Sequence, residues 1–205
     1  PAARLDTRPI VDALRAIEAP AGFAYEAANP AMRTEAGPRR DRFWAPRTLD
    51  DFAGLREQHP AARLLAGSTD IGLWVNKQFR DLGDMLYIGN VDALRRIERR
   101  DGVLRIGAAA SLEDAWSTLT AAVPSLHDMW LRFASLPVRN AGTLGGSIAN
   151  GSPIGDSAPV LMALGTDLVL RRGAVQRTLR LEDFYLDYMK NALQPGEFIE
   201  ALDVT

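Results

Sequence analysis

Apolar positions along the chain fall into two rhythms, one at helical spacing and one of short runs closed by glycine. The stretch "RPIVDALRAI" sets Ile10, Val11, Leu14 and Ile17 on one side, with Pro9 where a helix can begin, and predicts a short amphipathic helix. A second helix opens at Thr48, with Asp51 answering it as a capping-box variant and Leu49, Phe52 and Leu55 on one side. "SLEDAWSTLTAAV" is the clearest helix: Ser111 caps, Asp114 answers, and Leu112, Ala115, Trp116, Leu119 and Ala122 form the apolar stripe. Further helices are predicted for "LHDMWLRF" and for "DSAPVLMALG", the latter with Asp156 or Ser157 as N-cap and Gly165 as its stop.

The glycine-closed runs "RLLAG", "MLYIG" and "VLRIGA" read as buried strands, with a helical turn or two in "VDALRRIE" before the third. "DLVLRR" and "VQRTLRL" predict a hairpin around Gly173, and "EFIEALDV" a closing strand. The Ala-, Pro- and charge-rich stretch "EAPAGFAYEAANPAMRTEAGPRRDR" has no sustained period and reads as an extended linker. Residues 1–45 therefore form a helix plus linker, and the main domain spans 46–205. The order of elements favours an α+β fold of two small lobes, about 46–107 and 108–205, over a doubly wound sheet.

Composition narrows the function classes. The chain has 205 residues, 47% hydrophobic and 24% charged, with 24 Lys+Arg against 26 Asp+Glu. No block of basic residues suggests a nucleic-acid arm or a membrane-binding patch, and no apolar run approaches the roughly 20 residues of a membrane span. The start "PAARLDTRP" has no apolar stretch of the signal-peptide kind and no initial Met, so a cytoplasmic protein, seen as a mature or excised piece, is expected. Cysteine is absent, which excludes disulfides, thiolate nucleophiles and cysteine-held iron–sulfur clusters from this chain. The two histidines, His59 and His127, stand in ordinary surroundings without metal-ligand spacing.

Two segments carry the chemistry. "LLAGSTDIG" runs strand, Gly, then Ser-Thr-Asp; "GTLGGSIANGSPIGD" places Thr, five Gly, two Ser, Asn and Asp within a stretch that composition alone would call a surface loop. Glycine lets backbone N–H groups approach an anion and nearby hydroxyls add donors, so two such segments suit one diphosphate. Each hydrogen bond to an ionised oxygen contributes about 1.5–3 kcal/mol. No G-x-G-x-x-G follows a strand and no Walker-type motif occurs, which leaves Rossmann and P-loop sites unsupported.

These residues resemble a known family. "LLAGSTDIGLWVNK", "FASLPVRNAGTLGGSIANGSPIGDSAPVLMALG" and "LEDFYLDYMKNALQPGEFIEALDV" are similar to the FAD-binding segment of the molybdenum hydroxylases, especially the small subunits of bacterial xanthine dehydrogenases, from about Phe43 to the end. "LDTRPI" also resembles the stretch that follows the last cysteine of the family's [2Fe–2S] domain, a pattern of Cys-Thr-Gly-Tyr-x-Pro-Ile from which this chain departs by having no cysteine. The resemblance implies the vanillyl-alcohol-oxidase (PCMH) type of FAD-binding fold, whose two α+β lobes grip an extended FAD. It implies that Leu64, Leu65, Ala66, Gly67, Ser68, Thr69, Asp70 and Ile71 follow the diphosphate, and that Thr143, Leu144, Gly145, Gly146 and Ser147 form a second cradle. Phe133 matches the family's aromatic wall against the cofactor, Ile199 an apolar contact, and Asp156 a carboxylate facing a ribose or ribityl hydroxyl. Asn150 stands where relatives often carry Thr.

The implied activity is electron transfer. Electrons from a purine oxidised at a molybdopterin site on a separate large subunit pass through [2Fe–2S] clusters to FAD and leave to NAD. FAD supplies the chemistry and the protein positions it, so no side chain is given a catalytic or metal-ligating role. Three alternatives stand beside this reading: the FAD subunit of a carbon-monoxide or aldehyde dehydrogenase relative, a free-standing flavin reductase or oxidase, and a non-catalytic assembly module.

Overall fold

A computed structural model describes residues 6–17 and 21–205. The stretch 1–5 and part of the predicted linker, 18–20, lie outside the described residues. The first helix, α1 (Arg8–Arg15), forms as its spacing predicts, with Pro9 in its first turn.

The predicted linker is a correction. Residues 23–45 form a long antiparallel hairpin, β1 (Phe23–Thr34) and β2 (Gly37–Ala45), which turns at Gly37 with φ +120°. β1 presents no buried face, so it has no hydrophobic alternation to betray it. The hairpin leads into α2 (Leu49–Gln58), whose N-cap Thr48 accepts from the Asp51 N–H as the capping pattern requires, and which buries Phe52 and Ala53. After β3 (Arg63–Leu65) and α3 (Ile71–Asn76) comes β4 (Met85–Tyr87). β4 lies parallel to both β2 and β3, giving a four-stranded sheet in the order β1-β2-β4-β3. Ion pairs bind the hairpin to the segment before β4, Arg39 to Asp81 and Arg42 to Asp84, while Arg39 also pairs with Asp41 within β2.

A second correction concerns the break between lobes. Residues expected to be a helical turn give a single 3-10 turn at Asp92–Arg95, then the strand β5 (Ile97–Arg100), which pairs with β6 (Val103–Gly107). Both belong to a five-stranded antiparallel sheet with later strands, so the second layer begins at Ile97 and not at 108. α4 (Leu112–Ala122) follows with Ser111 accepting from the Asp114 N–H; Leu112, Ala115, Trp116 and Leu119 are buried, whereas Ala122 is exposed. Next come α5 (His127–Arg132), α6 (Leu136–Ala141), α7 (Leu144–Asn150) and α8 (Ser157–Ala163). The predicted hairpin is β7 (Asp167–Arg172) and β8 (Val175–Arg180), with Gly173 at φ +54°. A small pair, β9 (Tyr185–Asp187) and β10 (Lys190–Asn191), precedes β11 (Phe198–Val204), which fills the centre of the order β5-β6-β11-β7-β8.

Each sheet has its own core. Trp116, Leu144, Ile148, Leu161, Leu168 and Phe184 pack beneath the five-stranded sheet, while Phe52, Leu86, Val91 and Leu94 pack with the four-stranded one. Phe198, on β11, crosses to the second cluster and meets Phe52 edge to face at 4.5 Å, tying the two layers together.

Glu197 holds the turn into β11. It accepts from Arg177 Nε at 2.7 Å and from the Gln194 N–H at 2.7 Å. The Arg177 guanidinium foremost holds its carboxyl below the usual range, against the opposing effect of burial. A folded-state value below the unfolded one, near 4.3, contributes stability above that pH and loses it as pH falls through the folded value. The wild-type thermal midpoint should therefore fall faster below about pH 4 than that of Glu197→Gln. Parallel acid limbs would contradict this.

Candidate functional site

The site begins where β3 ends. Beyond Leu65 the chain bends through Ala66, Gly67, Ser68 and Thr69 before α3 starts, and Ser68 takes φ +63°, a left-handed conformation that costs a non-glycine residue about 1–3 kcal/mol. Gly67 is required by a close approach: a Cβ there would lie 2.8 Å from the Gly142 Cα and 2.7 Å from the Ala141 carbonyl carbon. The two glycine-bearing segments therefore meet, backbone against backbone, as the sequence suggested. Around that junction lie a cavity of about 610 Å³ and a smaller one of about 400 Å³, both bordered by Ala66, Gly67 and Thr143.

The second segment is not a loop. Thr143 caps α7, its hydroxyl accepting from the Gly146 N–H at 3.2 Å, and the carbonyls near the helix end take bonds from Tyr185 and Asn191. Burial pushes the Tyr185 hydroxyl up to about 12, so it stays protonated and donates to the Ile148 carbonyl at 3.0 Å. Gly145 faces inward, where a Cβ would lie 2.7 Å from the Ala108 carbonyl oxygen; Gly146 faces the larger cavity, and a Cβ there meets only Thr143 Oγ1, at 2.7 Å. Glycine in a helix costs about 1 kcal/mol against alanine, so both positions reflect what stands beside them.

Tracing the backbone donors separates the two segments. In α7 the Leu144 N–H donates to the Ala110 carbonyl, the Gly145 N–H to the Ala108 carbonyl, and the Ser147 N–H to Thr143. This first turn is thus fastened to the end of β6 and offers the cavity hydroxyls, from Thr143 and Ser147, in place of free amides. By contrast, the N–H groups of Gly67, Ser68, Thr69, Asp70 and Ile71 have no partner among the described residues. The first segment is thus rich in open backbone donors, while the second borders the cavity with its hydroxyls and its bare Gly146.

Most of the expected site residues line the larger cavity: Leu64, Ala66 to Ile71, Thr143, Gly145 to Ser147, Asn150 and Ile199. Four do not. Leu65 lies in β3 and Leu144 is wholly buried in the core. Phe133 follows α5 with its ring 5.1 Å from Trp116, its carbonyl taken by the buried Arg139, which also pairs with Glu113. Asp156 occupies the N-cap position of α8, is exposed, and makes no capping bond. Sequence reasoning in turn missed other lining residues, among them Phe52, Trp74, Arg80, Met189, Leu193 and Phe198. Phe198 adjoins Ile199 and could have been found from the strand; Trp74 and Arg80 carry no pattern that marks them.

Unpaired amides, hydroxyls and a backbone surface free of β-carbons suit a phosphate-bearing ligand, while Phe52, Leu64, Ile88, Leu193 and Phe198 supply apolar walls. Fold and site together define a mixed helix-and-strand domain built to hold an extended, partly anionic, partly apolar molecule. Residues 37–204 match the FAD binding domain in molybdopterin dehydrogenase, and the chain belongs to this family. It is 28% identical over 179 residues to a xanthine dehydrogenase of Emericella nidulans, covering 82% of this chain and 13% of the relative. A solved carbon monoxide dehydrogenase of Hydrogenophaga pseudoflava superposes with a TM-score of 0.73 at 27% identity, over 79% of this chain and 57% of that one. Quinoline 2-oxidoreductase of Pseudomonas putida shares the fold with a TM-score of 0.71 at 24% identity, over 78% of this chain and 56% of that one. FAD is therefore the cofactor of the domain, and the open donors of the first segment fit its diphosphate.

Proposed function

We propose that this chain is the electron-transfer module of a molybdenum hydroxylase of xanthine dehydrogenase type, with FAD extended between two lobes in the vanillyl-alcohol-oxidase (PCMH) manner. The observation that carries this reading is the meeting of Gly67 with Ala141 and Gly142 beside five unpartnered N–H groups. When bound, FAD takes up single electrons and gives up pairs, the chemistry needed between iron–sulfur clusters and a nicotinamide. The chain's own residues bind and orient it. Amides of the Gly67–Ile71 bend hold the diphosphate, the Thr143 and Ser147 hydroxyls flank it, and Phe52 and Phe198 keep water from the apolar part. In this reading the segment ahead of β1 trails from a [2Fe–2S] domain, the molybdopterin site lies on a large partner subunit, NAD is the acceptor and the assembly works in the cytoplasm. The likeness to the carbon monoxide dehydrogenase favours a second reading in which the partner oxidises another small substrate.

Heat-denatured protein should release about one FAD per chain; colourless protein that takes up no FAD would overturn the reading. In the complex with its partner subunit, xanthine and NADH should each bleach the flavin bands. Bleaching by carbon monoxide alone would favour the second reading, and inertness to NADH would remove NAD as the acceptor. Gly146→Val places a side chain in the cavity and pushes the Thr143 hydroxyl from its capping position, so FAD affinity should fall about tenfold to a hundredfold, or about 1.5–3 kcal/mol, with a loss of stability of about 1 kcal/mol from the weakened cap. Unchanged affinity would count against this cavity.

A further inference from the structure

We propose that Arg80, held in place by Trp74, is the cation that pairs with the FAD diphosphate, a role resting on the reading of the cavity as the FAD site. Arg80 and Trp74 both line the larger cavity. The Arg80 guanidinium carbon lies 5.2 Å from the Trp74 ring centroid, and Arg63 stands 5.6 Å from the same ring. Stacking on an indole fixes the plane of a guanidinium and leaves its edge donors free.

Those donors have no partner among the described residues, although acids lie close by in the chain. Asp81, the next residue, bonds Arg39 at 2.7 Å and Asn29 at 3.3 Å. Asp84 takes two bonds from Arg42, at 2.7 and 3.1 Å, and a third from the Arg42 N–H. The acids of this segment are thus committed to the β1–β2 hairpin, and Arg80 faces the cavity without one. Among the described residues, the one carboxylate lining this larger cavity is Asp70, at the start of α3. A strong anion-binding group in the lining of the same cavity as the five open amides completes a site for a diphosphate, since guanidinium matches phosphate oxygens in a forked pair. Arg63 is excluded from the role: its Nε donates to the Leu82 carbonyl at 3.0 Å and it does not border the cavity.

The test uses deflavinated full-length protein titrated with FAD and with riboflavin, which lacks the phosphates. Arg80→Gln should weaken FAD about tenfold to a hundredfold, leave riboflavin unchanged, and reduce the salt dependence of FAD binding. Arg80→Lys should recover part of the loss. Trp74→Ala should weaken FAD, and combining it with Arg80→Gln should add little, because both remove one interaction. Equal FAD affinity in Arg80→Gln, or equal losses for FAD and riboflavin, would overturn the role of Arg80 while leaving the FAD site standing. Wild-type protein that binds neither flavin would remove the site and the proposal together.

Discussion

Replacing Gly67 with alanine should lower stability by about 3 kcal/mol and weaken FAD by at least about a hundredfold. The added carbon would stand 2.8 Å from the Gly142 Cα and 2.7 Å from the Ala141 carbonyl carbon, and both are backbone atoms that cannot rotate aside. Relief requires the two segments to part, which moves the open amides of Ser68 to Ile71 away from Thr143. One lesion thus affects two readouts. Gly72→Ala, in the following helix, is the control: its Cβ would meet only Ser68 Oγ at an ordinary 3.6 Å, so stability should hold or rise slightly. Urea unfolding and flavin titration of the two variants test the pair. Equal behaviour would mean that the contact between the segments is not what shapes the site.

The second large effect is expected at Gly145. Its Cβ would fall 2.7 Å from the Ala108 carbonyl oxygen and 2.8 Å from the Ala108 Cα, at the end of β6, where the Gly145 N–H itself donates to that oxygen at 2.9 Å. Gly145→Ala should lift the first turn of α7 off the sheet, break this bond and the neighbouring one from Leu144 to Ala110, and cost about 2–3 kcal/mol. Buried Leu144 and Ile148 on the same helix make the displacement expensive. The contrast with Gly146, one residue on, is informative because that position faces the cavity: the first substitution should shift the urea midpoint, the second chiefly the flavin affinity. An unshifted midpoint in Gly145→Ala would contradict the packing described for α7.

Local rules reached the capped and glycine-stopped elements. Thr48 and Ser111 each cap the helix their sequences announce, and Gly165, at φ +66°, ends α8. What escaped was structure that tertiary contacts impose. The β1 strand buries no face, so nothing in its hydrophobicity marks it, and only pairing with β2 makes it regular. Gly145 and Gly146 disfavour a helix, yet packing against Ala108 and the Thr143 cap override propensity. The β5–β6 hairpin did carry a signal: Asp101-Gly102, both with positive φ, is a strong hairpin turn, and weighing it would have placed the lobe break correctly.

For the site, residue type picked out two segments that border one cavity but not which of their atoms remain open. The donors of Leu144 and Gly145 are consumed by carbonyls from β6, a pairing distant in sequence and invisible to a motif. Phe133 and Asp156, cofactor neighbours by the family resemblance, do not border the larger cavity: Arg139 takes the carbonyl of the first, and the second stands at the start of α8. Arg80 became visible only once the commitments of Asp81 and Asp84 to the hairpin were known.

A solved structure of the flavin-loaded protein is the most direct measurement of the central claim. The account predicts diphosphate oxygens within hydrogen-bond distance of the amides between Gly67 and Ile71, with the rest of the FAD running along the wall formed by Thr143, Ser147 and Phe198. A diphosphate seated away from that bend, with those amides facing solvent, would contradict it.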